Sequence, residues 1–409
     1  MKRYGKLAST NSDLKEINRA LVRDTIRKRG PVARSEIARI TGLTPPTVSA
    51  IVKDMLEADI VKEIGRGVST GGRRPILLEL NPKAGFVVAV RIQRGEIVTA
   101  LLDLTGHVLG NQLVARDTSV PEKVAEAICE SMDSLVLSAN IGRDLILCCG
   151  VAFPGLISSA DGMVARAPNL PWENVPFRDM LHEAIRGIPV HIENISNAAA
   201  LGEQTYGIGK GCANLVYLNL SVGIGAGIII DNRVYGGAWG YAGEIGHVAT
   251  TSEAGPRCGC GRYGCFEAVC GVRAVVERIK ASVPDKTLFD LGFQKDRLTI
   301  SDVLNPRLSE LPEVQAVLTD TGKTIGLVIG NMLNLLNTEM VILGGELSRA
   351  GDAFFGALRD QANRTSLGEV AERVRIVRST MQEDPALMGA YTVAIEDVFA
   401  YGKWGYRPA

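Results

Sequence analysis

Apolar residues in the stretch 14–29 (LKEINRALVRDTIRKR) recur near helical spacing at Ile17, Leu21 and Ile26, which predicts a helix that Gly30-Pro31 stops. A second, shorter helix is expected over Arg34–Ile40, with Gly42 just past its end in the position that favours a left-handed residue. Thr44-Pro45-Pro46 reads as a cap followed by prolines in a first turn, where missing N–H groups cost little. A third helix is therefore expected over Thr47–Ala58, burying Val48, Ile51, Val52, Met55 and Leu56. Ile60–Ile64 and Ile76–Leu80 predict two strands flanking GRGVSTGGRRP, with the turn at Gly71-Gly72.

From Asn81 the pattern turns to strands and longer helices. Phe86–Val90, Ile97–Asp103 and Val108–Val114 read as successive strands, broken at Arg94-Gly95 and Thr105-Gly106. A helix over Val120–Ala139 leads to a strand over Leu145–Phe153, and the alternation recurs after Val190, in Leu215–Leu220, Ala226–Ile230 and Met340–Leu343. The run Leu145–Ala152 is far too short to cross a bilayer, so no membrane partner is expected. The first residues carry charge without an apolar core, which is not a secretory leader, and a reducing, cytoplasmic location is the expectation.

Charge divides the chain. Residues 1–80 hold 16 Lys and Arg against 9 Asp and Glu, and the remainder holds 29 against 36. A basic head on an acidic body points to a polyanion at the head alone. Two short helices joined by a tight Gly-containing turn form a helix-turn-helix pattern, and the two strands add a wing. Small or polar residues on the helices suit approach to base edges and phosphates: Arg34, Ser35, Thr44, Pro46, Thr47, Ser49 and Lys53. On the wing, Arg66, Arg73 and Arg74 place cations for phosphate or the minor groove. The competing reading of the head is a protein-interaction module with a solvated basic loop.

Three of the eight cysteines fall in Cys258-Gly259-Cys260-Gly261-Arg262-Tyr263-Gly264-Cys265, shortly after His247. One imidazole and three thiolates make the closed four-ligand set of a structural zinc, and the glycines let the chain turn tightly enough to aim three sulfurs at one ion. Cys129, Cys148, Cys149 and Cys212 are scattered, and Cys270 is read as a helix residue packing inward.

Gly243-Glu244-Ile245-Gly246-His247, together with that cysteine run and Glu267, closely resembles the signature of the ROK family of bacterial sugar kinases, sugar-responsive repressors and uncharacterised reading frames. The GGRRP segment resembles its repressors, which include the branch governing xylose, glucose and N-acetylglucosamine genes. The resemblance implies a winged helix-turn-helix followed by a two-lobed α/β actin-like body. The boundaries expected are 1–80 for the head, 81–194 for the first lobe and 195–383 for the second, with a C-terminal helix at about 384–399 packing back on the first lobe.

The resemblance also implies where phosphoryl-transfer residues would stand. Kinases of the family open the first lobe with a D-x-G-G-T phosphate motif, and Arg91-Ile92-Gln93-Arg94-Gly95 occupies that place here. The glycines of Ser221–Gly227 persist and are read as a hairpin that lets the body pack, and Gly344-Gly345 is read the same way. Where the kinases carry E-N-D-x-N, with the Asp as base, this chain has Glu193-Asn194-Ile195-Ser196-Asn197. Isoleucine accepts no proton, so no enzyme activity and no catalytic residue are expected.

By the same resemblance Gly155, Asn169, Asn194, Glu244, His247 and Glu267 are the carbohydrate-effector residues, with the ligand held between the lobes. Their carboxylates and amides suit vicinal hydroxyls. The expectation is a DNA-binding repressor of carbohydrate genes that carries structural Zn2+ and recognises a pseudo-palindromic operator as a homodimer or homotetramer. The alternatives are a sugar kinase with an attached DNA-binding domain and a repressor governed by a sugar-transport protein.

Overall fold

The computed structural model describes residues 11–67, 74–159, 161–167, 170–250 and 255–401. It opens with α1 (Asn11–Arg29), a two-residue strand β1 (Val32–Ala33), α2 (Arg34–Thr41) and α3 (Pro45–Glu57), followed by β2 (Val61–Arg66) and β3 (Ile76–Leu80). Local chemistry sets these limits. Gly42 takes φ 72° and returns its N–H to Ala38, ending α2. Thr44 caps α3 by accepting from Thr47 N–H at 3.4 Å, so that helix starts at Pro45 rather than at the expected Thr47. Val48, Ile51, Val52 and Met55 are buried as expected, and Leu56 only partly. The wing has a third strand that the sequence reading missed, with order β1-β3-β2. β2 extends to Arg66 through a bulge between Glu63 and Gly65. The expected turn at Gly71-Gly72 lies outside the described residues.

The body repeats one topology. The first five-stranded sheet contains β4 (Phe86–Gln93), β5 (Glu96–Asp103), β6 (Val108–Ala115), β7 (Ile146–Phe153) and β11 (Val190–Asn194), in the order β11-β7-β4-β5-β6. Between its strands come α4 (Pro121–Ser138), a small sheet of β8 (Leu156–Ser158), β9 (Met163–Ala167) and β10 (Trp172–Val175), and α5 (Phe177–Ala184). After α6 (Ile195–Tyr206), the second sheet takes β12 (Leu215–Leu220), β13 (Ile224–Ile230), β14 (Arg233–Val234), β15 (Met340–Gly344) and β16 (Arg375–Arg378), in the order β14-β13-β12-β15-β16. In each sheet the opening strand is central. It pairs antiparallel with the next strand and parallel with the fourth, as β4 does with β5 and β7 and β12 does with β13 and β15. Strands buried on both faces explain the near-continuous Val and Ile runs that made them legible.

The helices of the second half are α7 (Phe266–Cys270), α8 (Val272–Ser282), α9 (Asp285–Asp290), α10 (Ile300–Val303), α11 (Pro306–Ser309), α12 (Pro312–Leu336), α13 (Gly351–Thr365) and α14 (Gly368–Ala371). Val275 and Ile279 of α8, Ile325 and Ile329 of α12, and Phe354 and Leu358 of α13 form one core with Val216, Leu218 and Leu343 of the sheet. The last helix is α15 (Pro385–Tyr401).

The described residues group into two compact units, one of those up to Ala152 with Phe177–Ile192 and those from Ala390 onward, the other of those in Phe153–Pro176 and Glu193–Gly389. The head thus groups with the first sheet. Phe153–Pro176, placed in the first lobe by chain order, groups with the second unit. Within the first unit, α1 rests on the end of α15: Arg23, only 3% exposed, donates to Val398 O at 3.0 Å and Phe399 O at 3.2 Å. The guanidinium groups of Arg23 and Arg27 lie 5.4 and 5.1 Å from the centroid of the Phe399 ring, two cation–π contacts.

Candidate metal centre, effector residues and nucleic-acid face

Strand β13 is the floor of the centre. Gly243 and Gly246 lie so close to it that a Cβ would fall 2.0 Å from Ala226 O and 2.1 Å from Ile224 O. That seating fixes the 3-10 turn Ile245–His247 and aims His247. The cysteine run folds back as a small hairpin, with bridges Ala249↔Cys265 and Arg257↔Tyr263, and with Cys258 N–H donating to Arg262 O at 2.7 Å.

The ligand atoms of His247, Cys258, Cys260 and Cys265 all lie within 4.8 Å of one another. Cys258 Sγ is 3.6 Å from His247 Nδ1, and Cys260 Sγ is 3.7 Å from Cys265 Sγ. A disulfide needs about 2.05 Å, whereas sulfurs about 2.3 Å from a tetrahedral ion stand roughly 3.8 Å apart. All the cysteines are free thiols, so the donor set fits a metal ion and not a crosslink. Burial pushes the Cys258 thiol up to about 12 and raises that of Cys265. Burial also opposes ionisation of Cys260, yet hydrogen bonds from Arg262 backbone and side chain, Cys258 and Cys265 bring it down to about 7. Cys270 is fully buried in α7, as expected.

Candidate effector residues fall into two contact groups, both in the second unit. In one, His247 turns Nε2 toward Glu244 Oε2 at 3.9 Å while Nδ1 faces the sulfurs. Glu267 stands beside them, 3.9 Å from Cys258 Sγ through Oε1, and its Oε2 accepts from Ile224 N–H at 3.1 Å. Burial, with Glu267 adding its charge, raises the Glu244 carboxyl above its usual range. In the other group, Asn194 caps α6 by accepting from Ser196 and Asn197 N–H at 2.8 and 3.3 Å, and donates to Gly155 O at 2.9 Å. Its amide is therefore largely spent on structure. Asn169 lies outside the described residues.

Glu193 and Asn197 were not singled out from sequence. Glu193 Oε1 accepts from Asn194 N–H at 2.8 Å and Asn197 Nδ2 at 3.0 Å, while Oε2 accepts from Ser159 at 3.2 Å. Burial raises its carboxyl. The Glu-Asn-x-x-Asn spacing was the available signal, and it encodes this brace at the start of α6. Asn197 Oδ1 is buried with no hydrogen-bond partner among the described residues.

Ile195, the first residue of α6, is half-buried beside the cap. The first half of β13 packs against α6: a Cβ at Gly225 would meet Ser196 Oγ at 2.7 Å, and one at Gly227 would meet Ser196 O at 2.1 Å. These glycines serve helix–strand contact. Gly344 likewise lies against the Tyr217 hydroxyl. In the first sheet, Arg91 pairs with Glu96 across the tight β4–β5 turn.

On the head, Ser35, Thr44, Pro46, Ser49, Lys53, Arg66 and Arg74 are exposed, and Thr47 is half-buried. Arg34 instead bonds Glu63 at 2.9 Å, tying α2 to the wing. Arg19 bonds Asp54 at 2.7 Å, tying α1 to α3. Arg73 lies outside the described residues. No described helix is long and apolar enough to cross a membrane.

Comparison with known proteins places both halves. A family model for the ROK family matches residues 87–397, and one for winged helix-turn-helix DNA-binding matches residues 24–62. The xylose repressor of Caldicellulosiruptor bescii is 31% identical over 397 residues, 96% of this chain and 98% of the relative. A crystal structure of a ROK family transcriptional regulator, a homolog of the Escherichia coli MLC protein, superposes with TM-score 0.80 at 25% identity, covering 95% of this chain and 97% of that one. A ROK family glucokinase from Streptomyces griseus, in complex with glucose and AMPPNP, superposes with TM-score 0.66 at 26% identity, covering 76% of this chain and 99% of that one.

Proposed function

The chain belongs to the ROK family, and from that premise we propose that it is a DNA-binding transcriptional regulator of carbohydrate genes, acting as a repressor. The observation that carries this is the pairing of a winged head with a ROK body in a single chain, which a xylose repressor matches along 96% of its length. The glucokinase, by contrast, is covered almost completely by 76% of this chain.

In this reading the exposed residues of α3 enter the major groove, and Arg66, Arg73 and Arg74 hold phosphates. Two identical heads in a homodimer, or pairs of them in a homotetramer, read the half-sites of a pseudo-palindromic operator. The body senses rather than transforms. Ile195 supplies no base, and Arg91, paired with Glu96, stands where the kinases' phosphate motif opens with Asp, so in this reading bound carbohydrate is not phosphorylated.

Glu244, His247 and Glu267 hold the effector's hydroxyls, with Asn194 and Gly155 shaping the opposite side. The ring position facing Ile195 carries no hydroxyl, as in a pentose or deoxy sugar, since a hydroxyl buried there would lack a partner. His247, Cys258, Cys260 and Cys265 hold Zn2+, which supplies rigidity and no reaction step. His247 faces the sulfurs with Nδ1 and Glu244 with Nε2, so one ring serves both sites. Effector binding lowers operator affinity by favouring a state whose heads fit the half-sites poorly.

The test is a gel shift on DNA upstream of neighbouring carbohydrate genes, with and without sugars chosen by thermal-shift screening. Specific binding released by a sugar is the expected result. ATP-dependent sugar phosphorylation by the purified protein would overturn the non-enzymatic reading.

A further inference from the structure

Trp239 is the most exposed large aromatic side chain among the described residues, at 82%. It stands at the tip of the loop that leads from β14 into the metal centre. We propose that Trp239 is the stacking face of a second saccharide subsite, so that the effector is a glycoside or oligosaccharide and not a free monosaccharide. This rests on the carbohydrate reading above.

The loop is built to hold its tip outward. Its base closes where Ala242 N–H donates to Gly236 O at 3.0 Å, and Gly237 and Gly240 take φ of 68° and 83°. Its feet stand beside both groups of effector residues. On one side Gly240 approaches β8, with a Cβ position 3.3 Å from Ile157 O, and Ile157 lies two residues from the Gly155 carbonyl that accepts from Asn194. On the other side Gly243 sits on Ala226 and runs directly into Glu244. Tyr235 and Tyr241 flank the tip at 48% and 37% exposed. Tyr235 also lines an open cavity of about 450 Å3 with Ile230, Asp231, Arg233 and Val234.

Scattered exposed leucines need no explanation, but an indole held in water beside a polyol site does. An indole offers a flat apolar face and a polar N–H edge. A sugar ring offers a C–H face and a rim of hydroxyls. The two match.

The experiment is calorimetry and intrinsic fluorescence on the full-length protein with D-xylose, xylobiose, D-glucose and cellobiose, repeated on W239A and W239F. One disaccharide is expected to bind about tenfold tighter than its monosaccharide and to quench tryptophan emission. W239A should bring the disaccharide down to the monosaccharide's affinity and leave the monosaccharide unchanged, and W239F should keep most of the preference. Equal affinities in the wild type, or a preference that survives W239A, overturn the proposal. Loss of self-association in W239A with the preference intact also overturns it and assigns the indole to a contact between copies. If none of these sugars binds, the carbohydrate reading fails with it. If monosaccharides bind without a disaccharide preference, this inference alone fails.

Discussion

Arg23 and Phe399 lie far apart in the chain but form one joint: the guanidinium donates to the Phe399 carbonyl at 3.2 Å and sits 5.4 Å from the centre of its ring. A side chain near the start of the DNA-binding head therefore completes the C-terminal end of the last helix, where carbonyls lack helical partners and favour a cation. Replacing Arg23 with Ala should cost about 1.5–3 kcal/mol through lost charged hydrogen bonds and weaken operator binding while sugar binding stays unchanged. Chemical denaturation and fluorescence anisotropy with operator DNA read the two effects.

The metal centre predicts a joint loss. Cys260→Ser should lose bound metal, measured by plasma mass spectrometry, together with thermal stability and operator affinity, because in the proposed zinc site the ion would tie His247 to Cys258, Cys260 and Cys265. Strong chelation of the wild type should reproduce the loss, and readdition of Zn2+ should reverse it. A metal-free mutant that melts and binds DNA like the wild type would contradict this role.

Gly246→Ala probes the same centre from beneath. Its methyl would fall 2.1 Å from Ile224 O, a backbone atom that cannot yield cheaply. A destabilisation of about 1–3 kcal/mol is expected, with reduced metal content because the His247 turn must lift. Gly259→Ala, whose Cβ position meets nothing within 4 Å, should leave both nearly unchanged.

On the head, Arg74→Ala should weaken operator and random DNA alike and reduce the slope of log affinity against log salt by about 1, as loss of one phosphate contact requires. Ser49 changes should instead alter base preference. Arg34→Ala is expected to act through the wing, because its partner is Glu63. Its salt slope should stay near that of the wild type.

Ile195→Asp returns a carboxylate to the start of α6. It should not create ATP-dependent phosphorylation, since Arg91 remains paired with Glu96 and the β13 glycines are covered by Ser196. A coupled assay for ADP release decides the matter.

Features governed by short-range chemistry were readable in the sequence. Caps, prolines and the Gly42 terminator marked the head, and the cysteine spacing marked the cluster able to hold a metal ion. Features that depend on distant partners were not. Val32-Ala33 is too short to signal a strand until it meets Leu77-Leu78. Arg34 reads as a phosphate ligand until Glu63 is beside it. Asn194 reads as a sugar contact, and only the structure shows its amide committed to the α6 cap and to Gly155. The run Phe153–Pro176 cannot declare from its own residues which compact unit it joins.

Helix α6 lies so close to strand β13 that a methyl at Gly227 would fall 2.1 Å from the Ser196 carbonyl, and one at Gly225 would displace the Ser196 hydroxyl, whatever chemistry occurs nearby. Packing alone would favour glycine at both positions, whether or not a phosphate ever binds there. A glycine run on this strand therefore reports close helix–strand contact and is silent about turnover.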